Sequence, residues 1–244
     1  MSSREDWQRR LGPLYGGAVA LVHSTPWRWP TEVGDEARNA GWIVALGAPC
    51  GLIAWVVARL VVATGIPAPL AAIIGLAMLS LASAALIERG VAESVDRWEG
   101  QARPPGVAAV MVLVFLILIR VGAVLSVPPS QWMWLLLLTA VIGRWAAVFL
   151  QALGDPIAVD ETSRSLVATP APAWLIAAIS GGVLTLAVIA MGKLGVVAMA
   201  LVAVFVFGLG LASQRRHGGL TPAIVAVAAA IGELTVLLLA TMGR

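Results

Sequence analysis

Residues 106–127 read GVAAVMVLVFLILIRVGAVLSV, an apolar run that contains a single charged residue, Arg120. A helix of about 20 apolar residues is long enough to cross the hydrocarbon core of a bilayer. This run therefore predicts a transmembrane helix.

Six further runs have the same character, so the 244-residue chain is predicted to cross the membrane about seven times. The predicted spans are 41–63, 66–87, 106–127, 131–150, 172–191, 194–213 and 222–242. Hydrophobic residues make up 60% of the chain and charged residues 12%, whereas soluble domains carry about 25% charge. These values exclude a soluble globular enzyme, a disordered chain and a DNA-binding domain. We expect an all-α, polytopic helical bundle in the lipid bilayer, with no nucleic-acid partner.

The first 40 residues have a different composition, with five arginines, five acidic residues and an apolar patch at 11–22 that is too short to span. We expect residues 1–40 to form an amphipathic segment on the membrane surface, and residues 41–244 to form one helical membrane domain. The expected interfacial anchors are Trp7, Tyr15, Trp27 and Trp29.

The loop charges predict the orientation. With seven spans, the N-terminal segment and loops 88–105, 151–171 and 214–221 lie on one side and carry eleven basic residues, whereas the other side carries two. Loops rich in Lys and Arg stay in the cytoplasm. All acidic residues except Glu233 lie on that side or in the N-terminal segment. We therefore expect a protein of the cell (inner or plasma) membrane with a polar working face in the cytoplasm.

The segment 86–106, LIERGVAESVDRWEGQARPPG, contains closely spaced acids. If span two continues as a helix, Glu93 and Asp96 lie on one face, three residues apart, and Glu88 is less well aligned. Two carboxylates on one face fit a Mg²⁺ site in which a diphosphate supplies further oxygens. The alternative is a solvated helix end, with Arg89 and Arg97 pairing with the acids.

Three ionisable residues lie well inside predicted spans: Arg120, Arg144 and Glu233. Charged groups in the membrane are costly, so a functional role is the default hypothesis. The alternative is an interhelical ion pair, which Glu233 can form with either arginine.

The segment 214–222, QRRHGGLTP, predicts the start of the last span. Gly218 and Gly219 permit a tight turn, Thr221 is a candidate N-cap, and the following proline suits the first helical turn. With Arg215 and Arg216 nearby, this helix start can bind an anion such as phosphate. The alternative is an ordinary positively charged cytoplasmic turn.

The run from Gly218, GGLTPAIVAVAAAIGELTVLLLA, resembles the end of the cobalamin synthases, the adenosylcobinamide-GDP ribazoletransferases. In that family a Gly-Gly-x-Thr-Gly-Asp turn opens a last span that carries a Glu. Residues 103–118, the pair Gly143 and Arg144, residues 165–178 and HSTPWRWP from His23 fit the family layout in the same order. The resemblance covers most of residues 20–242.

The family's acidic signature, His-x-Asp-Gly-x-Ala-Asp-x-x-Asp-Gly, is presumed to hold the metal and corresponds to residues 87–97 here. Gly90, Ala92 and Asp96 match, and Glu93 replaces an Asp. The departures are Ile87, Arg89 and Arg97 in this run, and Pro222 and Ala223 in place of the tail Gly-Asp.

The resemblance implies a Mg²⁺-dependent transferase that joins adenosylcobinamide-GDP to α-ribazole or its 5′-phosphate and releases GMP. It implies Glu93 and Asp96 as Mg²⁺ ligands, with Glu88 as a third. Arg144 and the turn at 218–221 would hold phosphate, and Glu233 would orient Arg144 or act at the lower-ligand site.

Two alternatives remain open. The substituted acidic run favours a catalytically impaired relative that acts as a membrane scaffold or corrinoid-binding protein. Charged residues within the membrane, Arg120 and Glu233, suggest a small transporter. Small residues in the spans permit close helix contacts within or between chains, so a homo-oligomer is also compatible with the sequence.

Overall fold

The computed structural model describes residues 3–27, 39–100, 105–154 and 165–242. The acidic residues at 155–164, residues 101–104 and the predicted anchor Trp29 lie outside this range. Helices account for nearly all of the described chain: α1 Ser3–Leu11, α2 Tyr15–Ser24, α3 Ala40–Ala45, α4 Gly47–Ala63, α5 Ala68–Ala82, α6 Leu86–Glu99, α7 Val107–Leu125, α8 Trp132–Leu153, α9 Ala173–Met191, α10 Lys193–His217 and α11 Pro222–Met242.

Six helical stretches in the described residues are long and apolar enough to cross a membrane. They are Ala40–Ala63, Val107–Leu125, Pro129–Leu153, Ala173–Met191, Lys193–His217 and Pro222–Met242. Each contains or overlaps one of the predicted spans. The prediction of a polytopic helical membrane protein is therefore confirmed.

The remaining predicted span, 66–87, is not continuous, and this prediction is corrected. Helix α5 ends at Ala82, and α6 begins at Leu86 after a bend of 78°. The bend contains Ala84 and Ala85 with φ of 53° and 52°, in the left-handed region where an α-helix of L-residues cannot continue. Helices α5 and α6 together form either a broken seventh span or a re-entrant pair.

Helix α8 is the centre of the bundle and packs mainly against α4 and α11. Small residues allow these helices to approach closely. A Cβ on Gly51 of α4 would lie 2.6 Å from the backbone of α8, and one on Gly143 of α8 would lie 2.7 Å from the Glu233 side chain. Close contacts at small residues are typical of membrane helices, because lipid offers no hydrophobic driving force between them.

Helices α7, α9 and α10 lie at the outer surface of the bundle. Their large apolar side chains are exposed, including Phe115, Leu118, Ile189, Val204 and Phe207. Such a surface is stable against lipid tails, in agreement with the membrane assignment.

The N-terminal helices are partly integrated into the bundle. Trp27 is 58% exposed, as expected for an interfacial anchor, but Tyr15 is only 5% exposed. The expectation that Tyr15 anchors the surface is therefore wrong, because α2 packs against α3 and buries one of its faces, including Val19 and Ser24.

Candidate functional site

Helix α6 runs antiparallel beside α7. Near its start, Glu88 pairs with Arg120 in the second half of α7. Near its end, Asp96 Oδ1 accepts a hydrogen bond of 2.8 Å from the N–H of Gly106, directly before α7 begins. After the bend that follows α5, the polar helix α6 therefore packs along the inner faces of α7 and α11.

A buried ion-pair network joins α6, α7 and α11. Arg120 Nη1 binds Glu88 Oε1, and Arg120 Nη2 binds Glu233 Oε2. Ser80 Oγ of α5 donates a further hydrogen bond of 2.6 Å to Glu88 Oε1. Arg120 and Glu233 are 5% and 3% exposed. The predicted interhelical ion pair is confirmed, with Arg120 as the partner of Glu233.

Arg144 is saturated by neutral groups from four other parts of the chain. Its guanidinium donates to Ser24 Oγ at 3.0 Å, Ser24 O at 3.3 Å, Ile43 O at 3.4 Å, Cys50 Sγ at 3.2 Å and Ser83 Oγ at 3.3 Å. The arginine therefore ties α2, α3, α4 and the bend to α8. The expectation that Glu233 orients Arg144 is corrected, because the Glu233 carboxylate binds Arg120 instead.

The predicted Mg²⁺ ligands point to different partners. Glu93 is exposed and pairs with Arg97 at 2.7 Å, Asp96 is buried against Gly106 N–H, and Glu88 binds Arg120. Within the described ranges, no three His, Cys, Asp or Glu side chains are grouped so that they could hold a metal ion. As arranged, these three carboxylates do not form one shared cluster, and a Mg²⁺ site completed by substrate oxygens stays a prediction.

One of them, Glu93, lines an open cleft of about 200 Å³ between α6 and α11, which we call the α6–α11 cleft. The lining residues are Leu86, Arg89, Gly90, Glu93, Ser165, Leu166, Pro222, Ala223 and Ala226. Gly90 permits the crossing of the two helices, because a Cβ there would lie 2.2 Å from the Cβ of Ala226.

The sequence prediction did not include Arg89 or Ser165 as site residues. Arg89 is four residues before Glu93, so helical spacing places both on one face. This spacing from Glu93 is the sequence feature that could have identified Arg89 as a site residue. Ser165 reaches the cleft through tertiary contacts that spacing does not reveal.

The segment before α9 is fixed by side chains. Gln151 Oε1 accepts a hydrogen bond of 2.7 Å from Ala168 N, and Asn39 Oδ1 accepts one of 2.8 Å from Thr169 N. These bonds hold the irregular segment after Ser165 against the bundle. A second cleft of about 200 Å³ lies beside them and is lined by Gln151, Ala152 and neighbouring residues.

The turn between α10 and α11 has the predicted form. Gly218 ends α10 with φ of 72°, and Thr221 Oγ1 accepts a hydrogen bond of 3.3 Å from Ile224 N, as an N-cap does. Ser213 Oγ donates a bond of 2.7 Å to the Gly219 carbonyl, which fixes the turn.

The two basic residues before this turn do not line the cleft. Arg215 and Arg216 belong to the last turn of α10 rather than to the loop predicted at 214–221. Both are exposed, and the Arg216 guanidinium lies 3.8 Å from the ring centre of Trp98 at the end of α6. This cation–π contact connects α6 to α10.

The sequence matches the family model described as cobalamin-5-phosphate synthase over residues 18–241. The chain belongs to this family. Comparison with curated proteins and with solved structures gives no match. Family membership makes the chain a transferase of cobalamin synthesis, and its apolar helices make it a multi-pass membrane protein.

The family's acidic run and tail meet at the α6–α11 cleft. Glu93 lines the cleft together with Arg89 and Ala223. In this synthase-family chain, a carboxylate, a guanidinium and a methyl group therefore lie together at the cleft.

Proposed function

We propose that the chain joins adenosylcobinamide-GDP to α-ribazole or its 5′-phosphate and releases GMP, in the last steps of cobalamin synthesis. The family match over residues 18–241 carries this proposal, because it covers the helical bundle from α2 to α11. The cleft where the family's two characteristic segments meet supports it.

In the proposed reaction, a hydroxyl oxygen of the ribazole forms a bond to the phosphorus linked to cobinamide. The bond from that phosphorus to the GMP oxygen breaks, GMP leaves with the electron pair, and the hydroxyl proton passes to solvent. Catalysis of phosphoryl transfer consists mainly of positioning and of neutralising charge. A cleft of about 200 Å³ is too small for a corrinoid. It can receive the diphosphate region while the corrinoid lies over the polar face.

The buried ion-pair network and Arg144 support this site from a distance. Arg144 binds Ser83 in the bend, and the network binds Glu88 at the start of α6. Both contacts therefore help to position α6, whose residues Arg89 and Glu93 line the cleft. We therefore propose that Glu233 and Arg144 are positioning residues. Dependence on Mg²⁺ stays a prediction of the family resemblance, and no step of the reaction is derived through the ion.

We further propose that the protein lies in the cell (inner or plasma) membrane with this cleft facing the cytoplasm. The excess of Lys and Arg in the loops on that side supports this orientation. Gly181 and Gly182 of α9 have no neighbouring atom within 4 Å of an added Cβ. That face leaves room for close contact with a second copy, and self-association remains a prediction.

A specific observation favours the alternative of a catalytically impaired relative. Arg89 and Ala223 line the cleft, at positions where the family resemblance implies carboxylates. Such a protein would bind the corrinoid substrate and act as a scaffold without releasing GMP.

The test is product formation by the purified protein in lipid, supplied with adenosylcobinamide-GDP, α-ribazole 5′-phosphate and Mg²⁺. Mass spectrometry measures the joined corrinoid and released GMP, with a family member that has the complete acidic signature as the positive control. Equal amounts of both products would support the synthase. Corrinoid binding without products, beside an active control, would support the impaired relative.

A further inference from the structure

We propose that Arg89 is the anion-binding residue of the α6–α11 cleft and that its guanidinium binds the phosphate oxygens of the substrate's diphosphate. The identity of the substrate rests on the proposed function. The assignment of an anion site to Arg89 rests on the cleft itself.

Arg89 differs from Arg97, Arg120 and Arg216 because its guanidinium has no charged or aromatic partner among the described residues. It is exposed and lines the cleft, and its side chain forms no ion pair or hydrogen bond with the part of the chain that the structure describes. By contrast, Arg97 pairs with Glu93, Arg120 with two carboxylates, and Arg216 stacks on Trp98. Arg89 is thus an available cation at the wall of a cavity.

Among the described residues that line the cleft, the charges leave it positive. Glu93 also lines it, but Arg97 lies 2.7 Å from the Glu93 carboxylate and offsets its charge. The first turn of α11 faces the cleft through Pro222 and Ala223, and the positive end of a helix dipole favours an anion. Ser165 is a neutral polar residue on the same wall.

The backbone of Arg89 is held on both sides. The preceding residue, Glu88, is bound by Arg120 and Ser80, and the following residue, Gly90, packs against Ala226 of α11. A planar guanidinium with five donors suits phosphate oxygens in two-point contacts. Because the helix position is fixed in advance, little backbone ordering opposes binding.

The experiment measures binding of inorganic pyrophosphate and of GMP to the full chain in lipid nanodiscs by calorimetry, in EDTA and in Mg²⁺. Hydrogen bonds to charged groups are strong enough that Arg89→Ala should weaken binding in EDTA by at least about tenfold. Arg89→Lys should weaken it less. Arg59→Ala, which removes an exposed arginine from α4, should bind like the wild type.

Arg89→Gln provides a second variant if Arg89→Ala does not fold. Wild-type affinity in folded Arg89→Ala or Arg89→Gln would overturn the proposal, as would a wild type that binds neither probe. Arg89-dependent binding without synthase activity would support the anion site and contradict the proposed function. Synthase activity that is unchanged in Arg89→Ala would support the function and overturn the anion site.

Discussion

The two buried arginines of the bundle are tolerated because each guanidinium has polar partners, which differ between the two residues. Arg120 binds two carboxylates, Glu88 and Glu233, whereas Arg144 is surrounded by hydroxyl, carbonyl and thiol groups. The sequence left two interpretations of Glu233 open, a functional role or an ion pair with either arginine. It could not select the partner, because the position of Glu88 beside Arg120 depends on the bend between α5 and α6.

Removing Glu233 should destabilise the protein. In Glu233→Ala, the buried Arg120 loses one of its two carboxylate partners, and breaking a buried ion pair costs about 3–5 kcal/mol. We expect a clearly lower thermal unfolding temperature in detergent. Glu233→Gln keeps an acceptor oxygen and should lose less. Equal unfolding temperatures for wild type and Glu233→Ala would contradict the network.

Asp96 and Glu93 should respond differently to truncation. The sequence predicted equivalent roles, but Asp96 is the buried acceptor for Gly106 N–H and Glu93 forms an exposed pair. Leaving a buried donor unsatisfied costs about 1–3 kcal/mol, whereas an exposed ion pair contributes about 0–1 kcal/mol. Thermal unfolding of Asp96→Ala and Glu93→Ala measures the difference. Equal losses would show that the two carboxylates have similar surroundings.

At the scale of elements, the broken helix pair α5–α6 is the feature that hydropathy could not predict. The segment 80–90, SLASAALIERG, has no proline or glycine at the break, and alanine favours helix. The bend is instead maintained by contacts distant in sequence, including Arg144 with Ser83 and Arg120 with Glu88. The other predicted spans were correct because their length and apolar composition suffice to define them.

The bend predicts opposite effects of glycine at two alanines. Ala85 has φ of 52°, which costs an L-residue about 1–2 kcal/mol that glycine does not incur. Ala85→Gly should therefore raise the free energy of unfolding. Ala77→Gly, at an exposed position inside α5, should lower it by about 1 kcal/mol. Chemical unfolding in detergent tests both, and a loss of stability in Ala85→Gly would argue against the bend.

At the scale of the whole molecule, the sequence predicted which segments carry polar chemistry but not how they meet. Loop composition placed the acidic run and the tail on one side of the membrane. Their meeting at the α6–α11 cleft depends on Gly90 packing against Ala226, a contact that spacing within either segment does not reveal. Helical spacing places Arg89 on the same face as Glu93, but only the contact with α11 makes that face the wall of a cleft.

The proposed orientation predicts the labelling of single cysteines. Cys50 is buried, so the wild type should not react with a membrane-impermeant maleimide. In intact cells, a cysteine at Thr64, in the exposed turn after α4, should be labelled. A cysteine at Arg215 should react only after the membrane is opened. The reverse pattern would show that the cleft faces outward.

The most direct test of the proposed site measures the release of GMP from adenosylcobinamide-GDP by the protein in lipid. The measurement is repeated on two variants, each with a tryptophan placed in one of the two clefts. Ser165→Trp fills the α6–α11 cleft, and Ala152→Trp fills the second cleft beside Gln151. The account predicts that the wild type and Ala152→Trp release GMP with formation of the joined corrinoid, and that folded Ser165→Trp does not. Wild-type turnover by Ser165→Trp, or turnover lost only in Ala152→Trp, would contradict it.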